Sequence, residues 1–374
     1  MLRRSHKKSR GGCVQCKRRH VKCDERRPVC LLCTMSNRDC SYETQAKASP
    51  QTPSPGSASQ TSPSPREPVE EELNLKHMEL LIHLTTTNEM FNLGDNLGPW
   101  PAGITFGLKR GLESPYLLYA SLAFSARHLA YLHPERSAEL MHRAVTLQNR
   151  AISLFNMDKI HVDRSNCVAV LLFSAAVGHH TLADTLMERS PGGLDAFLTR
   201  YAQCANTLRG LYTITMTAQP LLMETELEPI LSRSINFTSK EPEGSQCDEI
   251  GTRVAHSNSL TQDEKEACLQ ALRYIQLGLD ALSYPVEHQN MKYQMLFLCT
   301  VLVPSEFIAL LATKRPEALV ILAYYALLLH HGHHMWQIGD AGVHVFGMIE
   351  TELGPQWATW LEIPRKGLYK HTAL

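Results

Sequence analysis

Six cysteines near the N-terminus recur at a spacing that constrains the fold more than any other feature of this sequence. The pattern C-x2-C-x6-C occurs twice, at Cys13, Cys16 and Cys23 and again at Cys30, Cys33 and Cys40. Cysteine thiolates bind Zn²⁺ tetrahedrally, and a C-x2-C turn places two sulfurs on one metal. One such ion would leave two cysteines over, whereas two ions need eight ligand positions and therefore two bridging sulfurs. The spacing predicts a binuclear cluster that binds two Zn²⁺ per chain.

A single-zinc ribbon is the alternative arrangement of these cysteines. It would leave two of the six without a role and bind its metal through Cys13, Cys16, Cys30 and Cys33. Disulfide bonds are excluded, because no apolar stretch typical of a secretory signal follows the basic N-terminus and the chain is expected in a reducing compartment. The segment 1–40 also holds too few apolar side chains to fold without metal.

Charge is distributed unevenly along a chain whose formal net charge is zero. The segment 1–40 holds 12 Lys and Arg against three acidic residues, a balance of +9, so the rest of the chain balances at −9. A basic segment joined to an acidic one indicates binding to a polyanion at the basic end.

Composition divides the chain into three parts. Residues 1–44 contain the cysteines and a basic arm, and residues 45–70 are so rich in Ser and Pro that they predict a disordered linker. Residues 71–374 show helical periodicity with little strand alternation, which predicts a large all-α regulatory domain. Within it, helices are predicted at 165–188, 193–217, 219–232, 262–283, 304–313 and 316–331. The polar span 236–259 predicts a long loop.

Two segments without Asp, Glu, Lys or Arg, at 165–183 and 318–339, raise the question of a membrane span. Each falls short of the ~20 apolar residues that cross a bilayer, so both are predicted to be buried helices and no membrane span is expected. A further amphipathic helix is predicted from Leu73, Leu80 and Leu84. It either packs on the domain that follows or forms the seam of a homodimer.

The string KSRGGCVQCKRRHVKCDERRPVCLLCTMSNRDCSY resembles the fungal Zn(II)2Cys6 binuclear cluster domain of transcription regulators. The match includes the six cysteines, the basic run Lys17 to Lys22, Asp24-Glu25 and Pro28. The resemblance implies that Cys13 and Cys30 bridge the two metals. It also implies that Cys16 and Cys23 complete one site and Cys33 and Cys40 the other.

The two halves of the cysteine pattern differ in charge, which predicts that the first half enters the major groove of double-stranded DNA. The predicted DNA contacts are Lys17, Arg18, Arg19, His20 and Lys22. Relatives read CGG-like triplets with residues at the positions of Arg19 and His20, and arginine suits bidentate contact with guanine. Lys17, Arg18 and Lys22 are predicted to contact phosphate. The basic arm, with Arg3-Arg4 and Lys7-Lys8, is predicted to serve nuclear import, phosphate contact or both.

The segment SPYLLYASLAFSARHLAYLHPE and much of the C-terminal third are similar to the regulatory domain of sterol uptake control proteins and related fungal regulators. That resemblance implies a helical, dimer-forming module that senses a hydrophobic small molecule, sterol in some members. Residue type alone predicts no further site here. Four histidines are predicted to lie at a helix end rather than to bind metal: His330, His331, His333 and His334. The pair His179-His180 is likewise not predicted to bind metal. The five later cysteines are predicted to be inert residues of the core: Cys167, Cys204, Cys247, Cys268 and Cys299.

These features predict a sequence-specific DNA-binding transcription factor of RNA polymerase II genes that acts in the nucleus with the transcription machinery. The alternative is a zinc-dependent protein-interaction adaptor that does not read DNA. No enzymatic activity is expected, because the helical part lacks the G-x-S-x-G, phosphate-loop, H-E-x-x-H and dinucleotide patterns.

Overall fold

The structure is a computed structural model that describes residues 11–19, 21–36, 39–42, 73–87, 90, 100–157, 161–189, 191–283 and 293–369. The chain divides into two compact units, Met1–Glu71 and Glu72–Leu374. The predicted linker at 45–70 lies outside the described residues, as do the boundaries predicted beside it.

The N-terminal unit contains two short helices, α1 (Val14–Arg18) and α2 (Leu31–Met35). Each begins directly after a cysteine, Cys13 or Cys30, whose backbone is extended and whose carbonyl accepts the first helical hydrogen bond. Five buried cysteines form the hydrophobic core of this unit in its described residues. Cysteine side chains therefore take the place of an apolar core, as the low apolar content of this segment predicts.

The second unit is mainly helical and contains no strand in its described residues, which confirms the predicted fold class. Its first helices are α3 (Leu75–Thr86), α4 (Trp100–Glu113), α5 (Pro115–Leu132), α6 (Ser137–Met157), α7 (Cys167–Met187) and α8 (Gly193–Thr217). The middle of the unit holds α9 (Gln219–Leu222), α10 (Glu228–Thr238), α11 (Asp248–Ala255) and α12 (Gln262–Leu282). The last are α13 (Gln294–Leu302), α14 (Ser305–Ala312), α15 (Pro316–His331), α16 (Ala341–Leu353) and α17 (Glu362–Tyr369).

Local signals in the sequence explain several of these boundaries. Helix α5 has Pro115 in its first turn, and α12 begins with a capping box in which Thr261 and Glu264 each accept a hydrogen bond from the other's backbone N–H. Two predictions were wrong in part. The stretch 219–232 is split between α9 and α10, and the predicted loop at 236–259 contains α11. Helix α11 forms because Ile250 and Val254, one helical turn apart, share one buried face.

Helix α15 forms the centre of the second unit. Its residues from Glu317 to Leu329 are all buried, and it packs against α12, α14, α16 and α17. The prediction of a buried helix at this place is confirmed. Helix α7 is the one described helix long and apolar enough to cross a membrane, and 56% of its most apolar stretch is buried inside the unit. Such burial is typical of a core helix.

Helix α16 crosses α15 in close backbone contact at Gly342. A Cβ atom placed on Gly342 would lie 2.5 Å from the carbonyl oxygen of Ala326 and 2.8 Å from the backbone nitrogen of His330. Both of these atoms belong to the backbone of α15. Glycine is therefore required at residue 342, because neither contact can be relieved by a side-chain rotation.

Helix α3 packs on the domain that follows it. Leu80 and Leu84 are buried, and the Ser125 hydroxyl of α5 donates a 2.8 Å hydrogen bond to the carbonyl of Leu80. Leu73, the third residue of the predicted stripe, precedes the helix and is 68% exposed. The packing alternative accounts for Leu80 and Leu84, which are therefore not available to a dimer seam. Pairing of two copies of the chain through another face stays a prediction.

Candidate metal centre and nucleic-acid interface

The two halves of the cysteine unit repeat each other in backbone geometry. Helix α1 begins directly after Cys13 and α2 directly after Cys30, so the two helices keep the register of the cysteine repeat. The amide of Cys13 donates to the sulfur of Cys23 at 3.5 Å, and the amide of Cys30 donates to the sulfur of Cys40 at 3.3 Å. These N–H groups stabilise negative charge on sulfur in both halves.

The six sulfurs form two sets of four, and each set lies within 4.8 Å of mutual separation. One set contains Cys13, Cys16, Cys23 and Cys30, and the other contains Cys13, Cys30, Cys33 and Cys40. Cys13 and Cys30 belong to both. No other group of three or more His, Cys, Asp or Glu side chains in the described part of the chain brings its donor atoms this close.

The spacing between sulfurs matches the geometry of a zinc–thiolate tetrahedron. The Sγ atoms of Cys13 and Cys30 lie 3.7 Å apart, those of Cys16 and Cys30 3.7 Å, and those of Cys13 and Cys33 3.8 Å. A tetrahedron with Zn–S bonds of about 2.3 Å has edges of about 3.8 Å. The donor set therefore fits zinc, both in its chemistry and in its dimensions.

Burial makes the thiols hard to ionise without a cation. It raises the pKa of Cys16 to about 12 and raises the pKa of Cys33 as well. Burial also opposes ionisation of Cys13, but hydrogen bonds from the Cys16 amide and neighbouring thiols lower its pKa to about 6. A full set of thiolates thus requires positive charge among the sulfurs, and metal binding releases protons.

Polar contacts that the sequence did not predict tie the two halves together. Both carboxylate oxygens of Asp24 accept the amide of Leu31, at 3.0 and 3.2 Å, and so cap the start of α2. The side-chain amide of Gln15 bonds to the backbone and hydroxyl of Ser41, far along the chain. No local pattern could have paired Gln15 with Ser41, because only the metal-centred fold brings them together.

The repeat also allows the surfaces of the two halves to be compared position by position. Four exposed cations of the first half stand where the second half has neutral or acidic side chains, which are also exposed: Lys17 against Thr34, Arg18 against Met35, Arg19 against Ser36, and Lys22 against Asp39. No ion pair in the described residues involves Arg18, Arg19 or Lys22. His20 lies outside the described residues.

The second half exposes apolar side chains instead. Leu31 and Leu32 are 49% and 41% exposed, and Met35 is 77% exposed. The difference in charge seen in the sequence is therefore a difference between the exposed surfaces of the two halves, whose backbones have the same fold.

The other candidate residues lie in the helical unit without forming a metal site among its described residues. His330 and His331 end α15, and His333 and His334 follow it. Burial lowers the pKa of His179 to about 4, so this imidazole is neutral near pH 7. The five later cysteines are all buried. Burial raises the pKa of three of them, Cys204, Cys247 and Cys268, to about 12, which leaves these thiols protonated.

Comparison with known proteins agrees with this geometry. Residues 11–49 match the fungal Zn(2)-Cys(6) binuclear cluster domain. The Zn(2)-C6 fungal-type transcription factor afumD of Aspergillus fumigatus is 36% identical over 140 residues, which cover 36% of each chain. Sterol uptake control protein 2 of Candida albicans is 60% identical over 40 residues, which are 11% of this chain and 6% of that protein. These alignments thus span well under two thirds of either relative.

One further relative aligns over most of its length. A Zn(2)-C6 fungal-type transcription factor of Gibberella zeae is 22% identical over 97% of this chain and 86% of its own. The resemblance of the cysteine unit to the fungal binuclear cluster domain is confirmed, and this unit binds zinc. The resemblance of the helical unit to sterol regulators stays a prediction. The relatives are transcription factors, a class without enzymatic activity, which supports the prediction that the chain is not an enzyme.

Proposed function

We propose that this chain, whose N-terminal unit is a fungal-type Zn(2)-Cys(6) domain, is a sequence-specific DNA-binding regulator of RNA polymerase II transcription in the nucleus. The observation that carries the proposal is the row of exposed cations on the first half of the repeat. Equivalent positions in the second half lack positive charge, so the two surfaces differ in their attraction for phosphate. The domain limits in this proposal are 1–44 for DNA binding, 45–70 for a disordered linker and 71–374 for regulation.

The proposed metal centre holds two Zn²⁺ per chain. Cys13 and Cys30 bridge the metals, since they belong to both sets of sulfurs. Cys16 and Cys23 complete the first site, and Cys33 and Cys40 complete the second. The metals supply no reaction in this proposal. They hold α1 and its basic side chains in one orientation, which a metal-free segment of this composition could not do.

DNA reading is assigned to α1 and the residues that follow it. Arg19 forms the C-cap of α1 and is exposed, which suits a guanidinium that contacts guanine O6 and N7 in a CGG-like triplet. His20, the next residue, is proposed to share base reading. Lys17, Arg18 and Lys22 are assigned to phosphate, where they add affinity and salt dependence but no sequence information.

The helical unit is assigned the regulatory role. We include in that role contact with the transcription machinery and binding of a hydrophobic small molecule. A sterol is one candidate, suggested by a relative's name, although the alignment with that relative covers 11% of this chain. Pairing into a homodimer through α3 is also proposed, since Leu75 and Ile82 are 72% and 62% exposed on a helix whose other face is buried.

Selection from a random DNA duplex pool with the full chain tests the proposal directly. We expect enrichment of CGG-like triplets at near-physiological salt. Arg19→Ala is expected to weaken binding to the selected site about 5- to 150-fold and to relax the preference at a single base, since a bidentate pair contributes about 1 to 3 kcal/mol. Gel-shift titration against the site and single-base variants measures both effects.

The repeat offers the matched control. Ser36→Ala changes the equivalent position of the second half and is expected to leave affinity and preference unchanged. Arg18→Ala is expected to weaken binding to all sequences alike and to reduce the slope of log affinity against log salt by about 0.9. Zinc-loaded chain that enriches no sequence would instead support the adaptor alternative, for which the exposed Leu31, Leu32 and Met35 would be the contact surface.

A further inference from the structure

A cavity of about 240 Å³, partly open to solvent, lies in the helical unit and is lined by α7, α8, α9, α10 and α13. Its walls are mostly aliphatic and aromatic, with Leu171, Leu211, Ile235 and Phe297 among them. None of the described residues that line it is Asp, Glu, Lys or Arg. An uncompensated charge placed there would lose its hydration without gaining a partner, so the cavity favours an uncharged occupant.

Two polar atoms in the walls have no hydrogen-bond partner among the described residues. These are the hydroxyl of Ser174, a residue only 9% exposed, and Nδ1 of His179, and both atoms are fully buried. The hydroxyl of Ser174 differs from its neighbours in α7, because Thr181 and Thr185 each donate to the carbonyl one helical turn earlier at 2.8 Å. Buried polar atoms in native proteins almost always have partners, so two orphans in one cavity indicate a missing one.

The remaining polar side chains of the walls include several that are already satisfied. The Thr215 hydroxyl donates to the carbonyl of Leu211 at 3.1 Å, and the Thr238 hydroxyl donates to the carbonyl of Ser234 at 3.1 Å. The Ser234 hydroxyl accepts from the side chain of Gln294. Among the polar atoms of the walls that are fully buried, those left for an occupant belong to Ser174 and His179, both from α7.

The size of the cavity limits the occupant. An apolar cavity of about 150 Å³ holds benzene, which has six carbon atoms. In proportion to volume, the cavity described here holds about ten heavy atoms. Pockets for drug-sized ligands measure about 300 to 1,000 Å³. The cavity is smaller than that range, and a sterol, with more than twice ten heavy atoms, would either project from its open side into solvent or require expansion of the helix packing.

We propose that this cavity binds an uncharged, mainly apolar molecule of about ten heavy atoms that carries one hydroxyl or amide group, and that this group hydrogen-bonds Ser174, with Nδ1 of His179 as a further polar contact in the walls. The inference deepens the proposed regulatory role and rests on it, since it names the site and the class of ligand. His179 suits a neutral ligand because its imidazole packs edge-on against Phe297, with ring centroids 4.3 Å apart, and carries no charge near pH 7.

Calorimetric titration of the full chain with 2-naphthol, which has a suitable size and a single hydroxyl, tests the proposal. We expect saturable one-site binding by 2-naphthol, none by 2-naphthoate because of its charge, and weaker binding by cholesterol because of its size. Ser174→Ala is expected to weaken 2-naphthol binding about 3- to 10-fold while leaving the Tm of the free protein unchanged or raised. The stability of the free protein is not reduced, because the Ser174 hydroxyl makes no hydrogen bond there.

A pair of Ala→Phe variants separates the cavity from the rest of the surface. Both alanines are exposed, Ala175 at the open side of the cavity and Ala138 on α6 outside it. Ala175→Phe is expected to abolish 2-naphthol binding and Ala138→Phe to preserve it. Equal binding by both variants, no saturable binding by the folded wild type, or tighter binding of cholesterol than of 2-naphthol would each overturn the proposal.

A gel-shift titration on the same preparations distinguishes this inference from the proposed function. Sequence-specific DNA binding without any 2-naphthol binding would overturn the ligand site alone. Binding of 2-naphthol without DNA reading would overturn the proposed function while keeping the cavity as a ligand site.

Discussion

Cys13→Ser is expected to remove both zinc ions and to abolish sequence-specific DNA binding by the full chain. Cys13 belongs to both sets of four sulfurs, so each metal loses a ligand from this single change. Structural zinc contributes about 10 to 16 kcal/mol in small domains, more than the cysteine unit can replace from an apolar core. We expect a loss of about 1,000-fold or more in affinity for the selected site, down to the level of non-specific binding.

Native mass spectrometry of the full chain measures the zinc content. The informative comparison is Cys16→Ser, because Cys16 belongs to one set only and its loss leaves four sulfurs around the second metal. We expect two zincs in the wild type, one in Cys16→Ser and none in Cys13→Ser. Cys268→Ala changes a buried cysteine of the helical unit and should retain both zincs. Equal zinc content in the Cys13 and Cys16 variants would contradict a bridging role for Cys13.

The helical unit should survive the loss of zinc. The described helices α3 to α17 all belong to it, and none of its described side chains contributes to the sulfur sets. Circular dichroism of Cys13→Ser is therefore expected to show nearly the wild-type helical signal. Collapse of that signal would mean that the two units depend on each other for folding.

Gly342→Ala is expected to destabilise the helical unit by about 3 kcal/mol, at the upper end of the range for overpacked cores. The added methyl would meet a carbonyl oxygen and an amide nitrogen of α15, and only a shift of α16 away from α15 can relieve those contacts. Chemical denaturation followed by circular dichroism measures the change in the free energy of unfolding.

Gly347 of the same helix provides the matched control. A Cβ atom on Gly347 would have no neighbour within 4 Å, so Gly347→Ala adds a methyl group without a clash. It should stabilise the unit by about 0.5 to 1 kcal/mol, because alanine loses less conformational entropy than glycine in a helix. The same sign of change in both variants would argue against close contact between α15 and α16.

Sequence reasoning succeeded where the determining interactions are local. Helix α8 begins and ends at the predicted residues, 193 and 217, because Pro191-Gly192-Gly193 stops the preceding helix and α8 presents a continuous apolar face. The convergence of the six sulfurs was likewise predictable, because repeated spacing of this kind is typical of cysteines that share a metal. Helix α11 was missed because only two large apolar residues, Ile250 and Val254, mark its buried face.

Features that depend on distant residues were not predictable. The cavity draws its walls from helices spread along the chain from Leu171 to Leu302, and no periodicity in one helix indicates it. From the sequence alone, Gly342 is expected to destabilise its helix. The structure shows instead that the contact with α15 leaves no room for a Cβ atom at this residue. The cap that Asp24 provides to α2 likewise depends on the metal-centred fold rather than on a local motif.

The repeated cysteine pattern has a consequence for how such a domain acquires and changes its target. A tandem duplication of one short coding segment would produce two equivalent halves that share both metals through bridging sulfurs. In the proposed function, either half could then face the nucleic acid. In the proposed function, divergence at four surface positions, which leaves the sulfurs untouched, would be sufficient to give one half its DNA contacts and to leave the other half for new contacts. Stability would then depend on the cysteines and specificity on the surface residues, so the preferred DNA sequence could change while the fold is kept.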